Sequence, residues 1–400
     1  MKVEQITWSN NDGWSNEETT LNDANLVLVF GDKQCIKHRH VLDKIKKSYP
    51  NAIRCGCSTA GEICDSEVFD NTVVVTAMKF EKTKVKLSSF SIESPEESFN
   101  AGDKIKKELI SDDLSHIFIL SDGLNVSGSE LIKGISKDLP KNVGITGGLA
   151  AEGKEFTETL IYIDDDLHSK RAVALGFYGN DIKIGYGSLG GWDSYGIIRK
   201  VTKSMGNTLF ELDGDPALDL YKKYIGDQAN ELILEGSVVY PSQYKDISGD
   251  INKNISTHVM LFPMSLMEKP DDKKAIVRTV MSVDEPTKSL YFAGDIPEGH
   301  YLQLMRGNFN KLVDSAGLAA EEAMGDTKDI DVAVLVSCVA RKMILGQRTE
   351  EEVEEVRDIL GDDTVITGFY SYGEIAPFSK DDDTCKVHNQ TMTITTFKEL

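Results

Sequence analysis

The stretch RCGCSTAGEI, residues 54–63, follows a short apolar run and closes on Gly-Glu-Ile. Near the other end of the chain, TGFYSYGEIAP, residues 367–377, repeats its form: one glycine, a second glycine five residues later, and then Glu-Ile. Glycine lets the backbone turn tightly and approach another group closely. A loop that occurs twice in one chain indicates a repeated structural unit, and the sequence around each loop supports that interpretation.

Three segments of the chain share the order strand, helix, strand, glycine loop and strand. Each begins with a short apolar run typical of a buried strand, and the helices show apolar residues at helical spacing. Ser127 with Glu130, and Thr349 with Glu352, have the spacing of capping boxes at the starts of two helices. The three copies begin at NLVLVFGD (25–32), HIFILSDG (116–123) and DVAVLVSC (331–338).

These repeats predict an α/β fold, because strand-helix-strand units normally place their strands in parallel with a right-handed crossover. Residues 180 to about 300 differ, since they contain short alternating or apolar runs separated by turns, which are typical of a mostly antiparallel sheet. We therefore expect two domains, residues 1–190 and 191–400, with the antiparallel region in the C-terminal half. Loops at the carboxyl ends of parallel strands line the crevice in which open α/β sheets bind ligands. The glycine loops are accordingly predicted to border a ligand site.

The composition limits the kinds of partner. The 400 residues include 65 acidic and 44 basic side chains, a net charge of −21, which disfavours nucleic acids and anionic membranes as partners. No apolar run approaches the roughly 18 residues of a membrane span, and the first residues lack the pattern of a secretory signal. We therefore expect a cytoplasmic protein whose six cysteines are reduced thiols.

Five motifs occur in an order that resembles one protein family. They are GCSTAGEI, VTKSMGNTLFELDGDPALDLY, SCVARK, GFYSYGEIAP and HNQT. Together they resemble the FIST family, in which FIST N and FIST C domains lie in tandem, and the resemblance covers almost the whole chain. It implies a sensory protein of signal transduction that binds a small ligand such as an amino acid. The sequence shows no PAS, kinase or methyl-acceptor segment, so we expect output through a separate partner, such as a histidine kinase. The loop GGLAAEG, residues 147–153, departs from the family pattern at a glycine and at the acidic position.

Candidate ligand-binding residues follow from the strand ends and the family motifs. The guanidinium of Arg341 suits a ligand carboxylate, and the carboxylate of Glu374 suits a ligand ammonium, so the pair would recognise a zwitterion. Each also has a structural alternative: a salt bridge for Arg341, and capping of loop N–H groups for Glu374. The C-terminal copy further contributes Cys338, Ser371, Tyr372, Gly373, His388 and Asn389. The N-terminal loop is expected to build a second pocket, or to cover the first, through Ser58, Thr59, Gly61 and Glu62. For Glu62 and Asn389 the structural role is favoured.

Two other functional classes stay open. Some FIST proteins that resemble this chain bind haem and sense nitric oxide, so haem is the alternative cofactor, while the main hypothesis requires none. The chain has seven histidines, and none stands in a diagnostic haem motif. The third class is an enzyme that uses Cys57 or a loop serine as nucleophile. GCSTAG is not the G-x-S-x-G elbow of hydrolases, and we predict neither catalysis nor a metal site.

Overall fold

The computed structural model describes residues 1–153, 155–226, 260–272, 275–378 and 384–400. Within these ranges the chain forms three similar α/β units and one antiparallel sheet module. Unit one covers residues 2–79, unit two covers residues 84–178, and unit three combines residues 182–189 with residues 309–399. The sheet module, residues 193–306, is inserted into unit three.

The elements follow one another along the chain in this order. Unit one contains β1 (Lys2–Ser9), β2 (Gly13–Trp14), β3 (Leu26–Asp32), α1 (Lys33–Ile36), α2 (Arg39–Ser48), β4 (Ile53–Thr59), β5 (Glu62–Cys64), β6 (Glu67–Phe69) and β7 (Thr72–Lys79). Unit two contains β8 (Lys84–Ser91), a 3₁₀ turn (Pro95–Glu97), α3 (Ser98–Leu109), β9 (Leu114–Ser121), α4 (Gly128–Ser136), β10 (Gly144–Leu149), β11 (Ile161–Ile163), β12 (Asp166–His168) and β13 (Arg171–Tyr178). Unit three begins with β14 (Ile182–Leu189).

The sheet module and the rest of unit three complete the order. The module contains β15 (Asp193–Ser194), β16 (Arg199–Met205), β17 (Thr208–Leu212), β18 (Asp215–Pro216), α5 (Ala217–Ile225), β19 (Met264–Met267), β20 (Ile276–Arg278), β21 (Val280–Asp284), β22 (Ser289–Phe292) and β23 (Tyr301–Arg306). Unit three continues with α6 (Phe309–Met324), β24 (Val332–Cys338), α7 (Val339–Leu345), a 3₁₀ turn (Gly346–Arg348), α8 (Glu351–Leu360), β25 (Val365–Ser371), β26 (Gly373–Pro377), β27 (Cys385–His388) and β28 (Met392–Glu399). No helix in the described ranges combines the length and the apolar character needed to cross a membrane.

Each unit builds its sheet in the same strand order. The strands on either side of the crossover are adjacent and parallel: β3 with β4, β9 with β10, and β24 with β25. A closing strand, β7, β13 or β28, pairs antiparallel with the first of them. The three sheets run β12-β11-β4-β3-β7-β1-β2, β27-β26-β10-β9-β13-β8 and β6-β5-β25-β24-β28-β14. The predicted α/β class and its repeated units are thereby confirmed, and the strands of the module pair antiparallel as expected.

The hairpin that follows each glycine loop leaves its own unit and extends the sheet of another. β5 of unit one pairs with β25 of unit three, and β26 of unit three pairs with β10 of unit two. β11 of unit two pairs in turn with β4 of unit one. The exchange is cyclic, so each sheet is completed by a neighbouring unit. The repeated Gly-Glu-Ile sequence therefore starts an exchanged hairpin, in β5 and again in β26.

The first glycine of each loop lies where two parallel strands come very close. A Cβ atom on Gly56, Gly147 or Gly368 would lie only 1.7, 1.8 or 2.0 Å from a carbonyl oxygen of the paired strand. Gly147 also has a φ of +145°, a conformation that favours glycine. The glycines and the residues that carry those oxygens are Gly56–Val29, Gly147–Ile119 and Gly368–Leu335. All three units thus require glycine at the same place in the strand pair.

The inner faces of the three sheets share one hydrophobic core. It contains side chains from all three units, among them Phe30, Phe118 and Phe369, and the ring centroids of Phe30 and Phe369 lie 4.7 Å apart. The sheet module has a separate core of its own. The predicted second domain, residues 191–400, is consequently divided between these two cores, because unit three packs with units one and two.

Only the N-cap half of the first predicted capping box is present, because the Ser127 N–H donates to Ser98 Oγ and the Glu130 carboxylate pairs with Lys133. Ser127 Oγ accepts the backbone N–H of Glu130 at 3.4 Å at the start of α4. The second predicted box is wrong: α8 begins without a side-chain cap, because Glu352 turns inward to Arg341. The buried ion pair with Arg341 thus sets the direction of the Glu352 side chain, against the local sequence pattern of a capping box.

Candidate functional site

Glu62 and Glu374 hold the exchanged hairpins in place. Both side chains are fully buried. Each accepts, at Oε1, a hydroxyl from the residue three positions earlier, Thr59 or Ser371. Each Oε2 accepts a backbone N–H at 3.1 Å beside the closing strand, donated by Thr72 and Thr391. The two carboxyls therefore have the same structural role, and neither lines a cavity described below.

These two buried carboxyls make stability depend on pH. Burial raises the pKa of both from the ordinary 4.5 to about 8, against the lowering effect of their hydrogen bonds. Between these values the folded state holds protons that the unfolded chain has lost. The free energy of unfolding therefore falls as the pH rises, by about 1.4 kcal/mol per pH unit for each group. We expect Glu62→Gln and Glu374→Gln each to remove its share of this slope in urea unfolding from pH 4.5 to 8.

An exposed glutamate supplies the control for this prediction. Glu67 is exposed on β6 of the same hairpin as Glu62, and Glu67→Gln should keep the full wild-type slope. If all four proteins lose stability equally with rising pH, the two loop carboxyls do not carry the effect.

Arg341, predicted to capture a ligand carboxylate, belongs to the fold. Its side chain is fully buried. Nε and Nη2 donate to the carboxylate of Glu352 at 2.9 and 2.7 Å. Nη2 also donates to the carbonyl of Leu312 at 2.7 Å, and Nη1 donates to the carbonyl of Gly190 at 2.9 Å. Each nitrogen has an internal partner, so α8 supplies the carboxylate that we had expected from a ligand, and the prediction for Arg341 is corrected.

Most of the other predicted site residues are also enclosed. His388 is buried, with Nε2 at 2.9 Å from a backbone carbonyl, and Ser58 Oγ accepts a backbone N–H at 2.9 Å. Tyr372 differs: it is half-buried, its ring is stacked at 4.7 Å on Phe156, and it lines a cavity. The remaining buried members are Cys338, Thr59, Gly61, Gly373 and Asn389.

The side chains considered as nucleophiles have no exposed surface. Cys57, Ser58 and Ser371 are all fully buried. Burial raises the pKa of the Cys57 thiol well above its ordinary 9.0, and the Ser371 hydroxyl donates to Glu374 at 2.8 Å. In this arrangement none of the three side chains is therefore accessible to a substrate.

Two adjoining cavities open between unit two and the sheet module. Their volumes are about 370 and 90 Å³, and the larger falls in the range of roughly 300–1,000 Å³ typical of small-molecule sites. Ser129, Asp295 and Val387 line both cavities, so the two form one cleft. Its walls come from α4 of unit two, from β19 and β20 of the module, and from β27, the exchanged strand of unit three.

Arg278 of β20 lines the larger cavity with a buried charge. Its side chain is 5% exposed. Nη1 donates to the carbonyls of Val387 at 3.1 Å and Val277 at 3.4 Å, and Nε donates to that of Asp295 at 3.4 Å. Within the described parts of the chain, Nη2 has no hydrogen-bond partner and no carboxylate forms an ion pair with the guanidinium. Burial lowers its pKa to about 10, so the group stays charged at neutral pH. A buried charge is costly without a counter-ion, which makes this position suited to an anionic ligand group.

Charged groups of both signs border the larger cavity near Arg278. Lys386 is half-buried and Lys133 is exposed, whereas Asp295 and Glu268 present exposed carboxylates. The Asp295 charge lies close enough to raise the pKa of Arg278 against the effect of burial. The cleft therefore offers opposite charges to a ligand that carries both a carboxylate and an ammonium.

Sequence reasoning missed Arg278, although one signal was present. The residue lies in AIVRTVMSV, residues 275–283, which we assigned only to the antiparallel region. An arginine inside an apolar strand is unusual, because arginine is seldom fully buried without a partner. The cavity itself forms where the module packs against β27, and no local sequence pattern encodes that contact.

Two family models match the chain in tandem. The FIST N domain matches residues 25–215, and the FIST C domain matches residues 217–377. Uncharacterized protein MJ1623 of Methanocaldococcus jannaschii is 24% identical over 375 residues, which cover 87% of this chain and 69% of that protein. A solved structure of cyanuric acid hydrolase from A. caulinodans aligns over 100% of this chain and 98% of its own, with a TM-score of 0.32 and 8% identity.

Proposed function

The chain belongs to the FIST family, and from that premise we propose that it senses a zwitterionic metabolite, such as an amino acid, in the cleft beside Arg278. FIST domains are sensory domains of signal transduction. The observation that carries the proposal is the buried Arg278 guanidinium, which lines a cavity of about 370 Å³ and has no carboxylate partner in the described chain. A ligand carboxylate would supply that partner through strong, charge-assisted hydrogen bonds. The exposed carboxylate of Asp295, which lines the same cavity, would receive the ammonium.

The position of the cleft suits a sensor. Its walls belong to unit two, unit three and the sheet module, so a ligand that contacts all of them stabilises one arrangement of these parts over others. A ligand shifts such an equilibrium by its difference in affinity for the two arrangements. A separate partner, such as a histidine kinase, would then read the shift.

Titration calorimetry with the common amino acids tests this function. We expect at least one to bind the wild type, and Arg278→Met to weaken that binding by about 10- to 100-fold, the value of a charged hydrogen bond. Arg306 is an exposed arginine of the same module that lines neither cavity, and Arg306→Met should bind normally. Folded wild-type protein that binds none of them would contradict the proposal, as would equal binding by wild type and Arg278→Met.

The two alternatives have readouts of their own. His300 lines the larger cavity, but the charged walls of the cleft do not fit the apolar face of a haem, and we derive no role for that group. A Soret band after reconstitution would favour haem sensing. Turnover that Cys57→Ser abolishes would favour an enzyme.

A further inference from the structure

We propose that the ligand is an amino acid with a large apolar side chain, such as leucine, methionine or phenylalanine. Its carboxylate lies against Arg278, and its side chain lies against an apolar patch formed by Ile132, Leu266 and Ile276 in the same cavity. The inference rests on the proposed function, since it names the chemical class that this cavity selects.

The register of the sheet places the apolar patch beside Arg278. Ile276 and Arg278 are two positions apart on β20, so their side chains leave the strand on the same face, roughly 7 Å apart. β19 pairs antiparallel with β20 and sets Leu266 opposite Ile276, and the side chains of directly opposed residues lie side by side on one face. Arg278, Ile276 and Leu266 therefore face the same side of one strand pair, and all three line the larger cavity.

Exposure separates the charged lining residues of the cavity from the apolar ones. Ile132 of α4 is 2% exposed and Leu266 is 6% exposed. Among the described lining residues that are buried, Arg278 alone carries a charge. The exposed charged members of the lining are Lys133, Glu268 and Asp295. A polar ligand side chain that reached the buried part of the wall would lose its hydration without gaining a partner, whereas an apolar side chain would gain from the same burial.

The apolar patch covers only part of the wall, which suits one side chain of a zwitterionic ligand. The volume of about 370 Å³ leaves room for a long or branched side chain beside the charged end. Full burial of a side chain of the size of leucine or phenylalanine raises affinity by roughly 10- to 100-fold. Arg278 and Asp295 therefore hold the end that all amino acids share, and the patch distinguishes one amino acid from another.

Calorimetry with ligand pairs of similar size tests this inference on the wild-type protein. The pairs are leucine with asparagine, methionine with glutamine, and valine with threonine, so that the polarity of the side chain is the main difference within each pair. We expect the apolar member of at least one pair to bind about tenfold more tightly than its polar counterpart. If no apolar ligand binds more tightly than its polar counterpart, while some amino acid does bind, the inference is overturned and the proposed function stands. If no amino acid binds, the proposed function fails, and this inference fails with it.

Substitution of Ile276 locates the side chain of the ligand. Ile276→Thr keeps a β-branched side chain that suits a strand but makes the patch more polar. It should weaken binding of the preferred apolar ligand about fivefold and leave glycine, which has no side chain and is measured by competition, unaffected. Val283 is a half-buried residue of the same module that lines neither cavity, and Val283→Thr should bind as the wild type does. Thermal unfolding checks that both variants fold. Equal weakening of both ligands by Ile276→Thr, or unchanged binding of the apolar one, would contradict the apolar patch.

Discussion

Glu352→Leu should lower the free energy of unfolding by about 3–5 kcal/mol, because it leaves the buried Arg341 guanidinium without its counter-ion. Arg341 and Glu352 are both fully enclosed and lie 2.7 Å apart from Nη2 to Oε2. The same carboxylate accepts the hydroxyls of Ser337 at 2.9 Å and Tyr370 at 2.8 Å. These two buried donors lose their acceptor as well, which adds to the cost. A loss of this size is a large part of the stability of an ordinary domain, and urea or thermal unfolding measures it.

The neighbouring residue and the double variant supply the controls. Glu351 pairs with Arg348 on the surface, and Glu351→Ala should change stability little, because solvent screens such pairs. Arg341→Met combined with Glu352→Leu removes both charges and should recover much of the loss. If the double variant is as unstable as the sum of its two single variants, the guanidinium and the carboxylate are not coupled.

The second large effect is expected at the three loop glycines. Alanine at Gly56, Gly147 or Gly368 should cost about 3 kcal/mol or more, or prevent folding, because its Cβ would lie 1.7–2.0 Å from a backbone carbonyl. The obstacle is main chain within a parallel strand pair, so it cannot move aside without breaking ladder hydrogen bonds. The yield of soluble protein and the urea midpoint measure the effect.

Gly153 offers a matched control in one of the same loops. A Cβ atom there would meet no atom of the described residues within 4 Å, and Gly153→Ala should keep nearly the wild-type midpoint. Wild-type stability of Gly56→Ala, Gly147→Ala and Gly368→Ala would show that the strands separate easily at these points. The equivalence of the three units predicts similar losses for all three.

Features that depend on nearby residues were predictable from the sequence, whereas contacts between distant segments were not. The three copies and their parallel strands were predictable, because each segment contains its own apolar runs, helical spacing and paired glycines. The glycines were interpreted as room for a ligand, but Gly56 and Gly368 instead allow two strands to approach each other. A glycine pattern shows that something comes close to the backbone, without showing what it is.

The candidate site was harder to predict, because it depends on contacts between distant segments. Arg341 had the right chemistry for a ligand carboxylate, but α8 places Glu352 against it. Arg278 lies on β20 without such a partner among the described residues. The difference between the two arginines lies entirely in which side chains the fold brings near them.

The cyclic exchange of hairpins has a consequence for biosynthesis. Among the described strands, β14 (182–189) pairs with β28 (392–399), and β5 of unit one joins the sheet of unit three through β25 (365–371). A ribosome that has translated units one and two has therefore released strands whose edges are still open, and exposed edges invite pairing with other chains. These edges stay unpaired until unit three has been translated as far as β28.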